Sequence, residues 1–167
     1  MTGVLPEPPR ELDGAPRAFY EELLRMLATI RPARIDADES SAKFDDDGVE
    51  VLLAHAERAE WIIWASVGED DAIAGAGWAH EHFFAPEPGE TNGRPWTTEI
   101  VDFLAELLRG EIEIRTTYRG DSPITVSHWS RDERGEPGLV WKTTFLTPAR
   151  LLVWQPKRTE TERLSFL

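Results

Sequence analysis

The chain has no cysteine. That excludes disulfides, a thiol nucleophile and any thiolate metal site. It also has no run of about 18 apolar residues, so no membrane-spanning helix is expected. The first residues, MTGVLPEPPRELDGAPR, have neither a basic start nor an apolar stretch of signal length. The expectation is a soluble, cytoplasmic protein. Lysine is scarce as well: there are three lysines against fifteen arginines. No P-loop, HExxH or GxSxG pattern occurs, and the lone Ser127-His128 pair would point to opposite faces of a strand.

What is present is acid. Net charge is −13, and its placement is uneven. Residues 36–108 hold 18 acids against Lys43, Arg58 and Arg94, a balance of −15, whereas residues 109–167 stand at +2. Such a field repels nucleic acid and anionic membrane and attracts basic partners or divalent cations. With 41% hydrophobic residues among 167, the chain can fill one ordinary core. The expected organisation is a loosely held Pro-rich arm over 1–15 and a single domain over 16–167.

Local patterns give an element order. Phe19, Leu23, Met26, Leu27 and Ile30 share one helical face from Pro16 onward, and Pro32 stops that helix. Residues 36–48, DADESSAKFDDDG, read as an acidic loop turning at Asp47-Gly48. Strands are expected at 49–56, 61–67 and 72–84. A second helix follows at 97–109, with Thr97 or Thr98 as cap, an apolar stripe from Ile100 to Leu108, and Gly110 at its end. Further strands fall at 111–118, 124–130, 139–146 and 150–154. The fold expected is therefore α+β: about seven antiparallel strands in helix-βββ-helix-ββββ order, with both helices on one face. The two halves, 16–84 and 97–155, carry a faint pseudo-repeat. After Pro156, KRTETER reads as a charged hinge, and Leu164 and Phe166 as a tail that docks on a sheet edge or a second copy.

Three constellations bear on function. His80 and His82 stand at i and i+2 and share a strand face, with Glu87 near enough in sequence to add a carboxylate to a metal site. His-x-His followed by Glu resembles part of the first cupin motif. Here Gly75 and Gly93 each stand one residue too near, and the second motif has no counterpart around Pro123 and His128. No family is identified. The acidic loop places Asp36, Asp38 and Ser40 on an EF-hand-like frame, but Ser41 replaces its glycine and Lys43 sits inside it. Finally, seven tryptophans exceed what such a core needs, so some indoles must face outward. Trp64, Trp78 and Trp129, with Asp45, Asp46 and Asp47, are the candidate binding residues.

Two functions follow. The first is a non-catalytic, inhibitor- or immunity-like protein that recognises a basic protein partner and carries no cofactor. The second is a metal-dependent or small-molecule enzyme centred on His80 and His82, with a divalent metal. No nucleic acid or membrane partner is expected. An oligomer through a sheet edge or the tail fits either reading.

Overall fold

A computed structural model describes residues 4–45, 48–77, 79–87, 95–131, 137–144 and 156–167. It is an α+β structure of two helices and two antiparallel sheets. The first helix, α1 (Gly14–Ile30), buries Phe19, Tyr20, Leu23 and Leu27. It ends at Arg31 in the left-handed conformation, whose N–H returns to the Leu27 carbonyl, and Pro32 bars continuation. Its first turn is capped from a distance, because the Glu69 carboxylate accepts the Ala15 N–H at 3.1 Å. Ahead of α1, Leu5 and Leu12 are buried in the core and the Tyr20 hydroxyl donates to the Pro6 carbonyl.

Five strands then form a meander in sequence order: β1 (Ile35–Asp45), β2 (Gly48–His55), β3 (Ile62–Val67), β4 (Asp71–Ala76) and β5 (Ala79–Phe84). Two expectations are corrected here. Residues 36–45 of the acidic segment are not a loop, since they pair with β2 as an edge strand, while Asp46 and Asp47 lie outside the described residues. Its alternation explains why: Ala42 and Phe44 pack inward, Phe44 edge-on to Tyr20 at 5.0 Å, while Ser41, Lys43 and Asp45 face out. An edge strand tolerates such charge, and a bulge between Asp36 and Ser41 absorbs the irregular part, where Asp36 accepts the N–H groups of Asp38 and Glu39. The single strand expected over 72–84 is a hairpin, turning at Gly77 with φ of 57°.

The second helix, α2 (Thr97–Arg109), buries Ile100, Val101, Phe103, Leu104, Leu107 and Leu108. Neither threonine caps it. Trp96 holds the cap position, both threonines are buried inside the first turn, and Thr98 donates to Glu22 of α1 at 3.1 Å. Gly110, at φ of 73°, closes the helix as its sequence implies. Both helices lie on the inner face of the five-stranded sheet, against each other and against Val51, Leu53, Ile63 and Ala74.

The second sheet has the order β8-β7-β6-β9, with β6 at Glu113–Arg119, β7 at Ser122–Arg131, β8 at Pro137–Thr144 and β9 at Lys157–Arg163. KRTETER is thus a strand and not a hinge, paired with β6 without a register break. The expected strand at 150–154 lies outside the described residues. Among the described residues the strand count is nine in two sheets, where about seven were expected. Beyond β9 the chain crosses back over the core, burying Leu164 and Phe166. The tail is docked, though its backbone bonds go to Leu108 and Arg34, not to a sheet edge.

Candidate functional site

The helices cover only one face of the first sheet. Strand alternation sends Val49, Val51, Leu53, Ile63, Ala65, Val67, Ala72 and Ala74 inward, all buried. The opposite face receives Leu52, Trp64, Ile73, His80, His82 and Phe84. Cross-strand register sets them in rows: Leu52, Trp64, Gly75 and His80 lie abreast, as do Ile73 and His82, and then Asp71 and Phe84. Gly75 is the hinge point of the first row. A Cβ there would run into the Ala79 carbonyl, so β4 and β5 approach more closely than side chains allow. Across that bare glycine, the rings of Trp64 and His80 stand 6.1 Å apart. The Trp64 indole N–H is fixed by the Gly77 carbonyl at 3.2 Å.

Along β5 the ladder continues. His80 and His82 meet edge to face at 5.2 Å, and His82 stacks on Phe84 at 6.3 Å and 13°. Phe84 is 69% exposed, a large apolar ring left in water at the end of the row. Carboxylates border that end. The β1–β2 and β3–β4 turns lie at the same end of the meander, bringing Asp45 together with Glu69 near Gly48 and the start of α1. Asp71 is the direct cross-strand partner of Phe84. The face is therefore aromatic and imidazole in the middle and acidic at one end.

The predicted site residues divide accordingly. Trp64, His80 and His82 come together on this face, and Asp45 lies at its acidic end. Trp129 is on the other sheet, where its N–H donates to Ser127 at 2.8 Å and the Arg115 guanidinium lies 4.2 Å over its ring. Glu87 is exposed, and no group of three His, Asp or Glu side chains able to hold a metal occurs among the described residues. Trp78, Asp46 and Asp47 lie outside the described residues. Phe84 and the acids at 69–71 were not singled out from sequence; the alternation from His80 to Phe84 was the signal for the first of these.

The other two histidines serve the interior. His55 is buried between Trp61 and Phe166, with ring centroids at 5.2 and 4.9 Å. Its Nδ1 accepts the Glu57 N–H at 3.0 Å, so the proton sits on Nε2, which faces the Ser165 carbonyl at 3.2 Å. His128 is fully buried against Phe103. Burial pushes its pKa down to about 4, and the charge of His80 works in the same direction. A second pair of acids sits under the ladder: burial raises the pKa values of both Glu81 and Glu106, and their mutual repulsion adds to the rise of Glu81.

No described helix is long and apolar enough to cross a membrane. No family model, curated protein or solved structure matches the chain.

Proposed function

We propose that the chain is a non-catalytic binding protein that recognises a basic protein partner, in the manner of an inhibitor or immunity protein. It would do so through the open face of the five-stranded sheet. The observation that carries this reading is the row Trp64, His80, His82 and Phe84, half-buried at Trp64 and His80, exposed at His82 and Phe84, and ending beside Asp71. Arginine and lysine side chains suit such a surface on two counts. Their cations are attracted to ring faces, and their alkyl stems cover apolar area. The carboxylates at the rim would steer the approach and select against acidic competitors. Cytoplasmic placement belongs to the same reading.

The test starts from a partner recovered from the native host and identified by mass spectrometry. Its association with the purified chain is then measured at low and physiological salt. Trp64→Ala with Phe84→Ala should weaken binding by tenfold or more, as truncation of central aromatic anchors does. Asp70→Asn with Asp71→Asn should slow association and flatten its salt dependence. A partner that is acidic, or whose binding ignores both double variants, overturns the proposal.

One observation favours the alternative, a metal-dependent or small-molecule enzyme: the two imidazoles of His80 and His82 lie 5.2 Å apart on one exposed face. Zinc titration by calorimetry decides it. Heat equal to that of the His80→Ala, His82→Ala double variant ends that reading.

A further inference from the structure

The second sheet has an outer face of its own, and its sign is opposite to that of the molecule. Ile114, Val126 and His128 are buried on the inner side. Alternation therefore turns Glu113, Arg115 and Arg119 outward. Register adds Arg163 beside Glu113, Lys157 beside Arg119, and Lys142 beside Ser127 on the same side. Among the described side chains, five bases thus share a sheet face with one acid, in a chain of net charge −13. That acid is already engaged: Glu113 bridges Arg115 and, at 3.0 Å, Arg163, and the two guanidinium groups hold its carboxyl below the ordinary value.

Arg119 differs from its neighbours. Its Nε and Nη1 are buried, and neither has a hydrogen-bond acceptor among the described residues. A charged donor withdrawn from water without an acceptor is costly, and a bound anion would relieve that cost. The direct cross-strand neighbours of Arg119 are Ser122 on one side and Lys157 on the other. Facing pairs of this kind bring Cβ atoms to about 5 Å. A guanidinium fork, an ammonium and a hydroxyl at that spacing form a donor set suited to a phosphate group.

We propose that the outer face of the four-stranded sheet binds a small phosphate-bearing ligand, with Arg119 as the anchoring fork and Lys157 and Ser122 as flanking donors. The ligand is small because the rest of the molecule repels an extended polyanion: residues 36–108 alone carry −15. Phosphate is preferred to carboxylate because its greater charge and its extra acceptor oxygens match the Arg119 fork, the Lys157 ammonium and the Ser122 hydroxyl better than a carboxylate does. The site lies on a different sheet from the proposed protein-binding face, so either proposal can fail without the other.

The experiment is calorimetric titration of pyrophosphate into the full chain at low salt. Saturable binding is expected, weakened at least tenfold by Arg119→Gln, several-fold by Lys157→Gln, and unchanged by Lys43→Gln on the other sheet. Lys157 is exposed, so its variant answers the question even if Arg119→Gln fails to fold. Absence of saturable heat with the native chain overturns the proposal, as does unchanged affinity in a folded Arg119→Gln or in Lys157→Gln. Citrate binding as tightly as pyrophosphate would overturn the preference for phosphate. Tighter binding of a ten-nucleotide thymidine strand would overturn the small ligand in favour of nucleic acid.

Discussion

The backbone N–H of Phe166 donates to the carbonyl of Leu108 at 2.9 Å, while its own carbonyl accepts from Arg34 at 3.0 Å. One residue near the end of the chain thus ties the last turn of α2 to the link between α1 and β1. Its ring, fully buried, packs at 4.9 Å against His55 of β2. Replacing Phe166 by Ala should cost about 3–5 kcal/mol, the usual range for emptying a buried aromatic site. Phe166→Leu should cost much less. Urea denaturation of both variants checks this, and equal midpoints for native and Phe166→Ala would show that the tail does not hold the core.

His128 makes stability depend on acidity. Its folded pKa, about 4, lies below its ordinary 6.5, so the unfolded chain binds the proton more readily. Stability on this account is full above pH 6.5 and declines as pH falls toward 4. The loss by then is about 3 kcal/mol. His128→Leu should show a flatter profile between pH 7 and 4 than the native chain, measured by denaturant midpoints. Parallel profiles would mean that carboxylates alone set the acid limit.

Glu106 has the opposite sign. Burial first, and then Glu111 and Asp102, raise its pKa above the unfolded value. Its charge therefore opposes folding at neutral pH, and that cost disappears as pH falls below the unfolded carboxylate range. Glu106→Gln should raise the melting temperature at pH 7 by about 2 °C, a gain below about 1 kcal/mol because solvent screens a partly exposed group. The gain should vanish at pH 4.

Gly75→Ala probes the geometry of the aromatic row. The new methyl would meet the Ala79 backbone, which cannot swing aside as a side chain can. A loss of about 1–3 kcal/mol is expected from such overpacking. The Trp64 indole, moved relative to His80, should report it as a changed fluorescence maximum.

The parts of this fold legible in the sequence are those where local and tertiary forces agree. Helix α2 announces itself because its stripe, its acid at the start, its Arg109 and its Gly110 all point one way. β1 and β9 were missed for one shared physical reason. Both are edge strands whose composition, DADESSAKFD and KRTETER, is that of a solvated segment. They are held by a neighbouring strand's backbone, and Ile35, Ala42 and Phe44 in β1 hint at a buried side. The candidate site was half legible. His80, His82 and Trp64 could be placed on outward faces by period, but their meeting across Gly75 depends on register between strands, which no single segment encodes. The basic face of the second sheet was invisible for the same reason, since its five bases come from three strands and look scattered along the chain.

The order in which the core is closed has a consequence for synthesis. Every strand of the first sheet pairs with its neighbour in sequence, so residues 35–84 can find their partners soon after they are made. Leu164 and Phe166, by contrast, seal a layer that both helices and β2 have been waiting to complete. On the ribosome the apolar end of α2, Leu107 and Leu108, stays uncovered while more than fifty further residues are translated. A nascent chain stalled in that interval would present a ready-made hydrophobic patch to chaperones, and the docking of Leu164 and Phe166 would withdraw it.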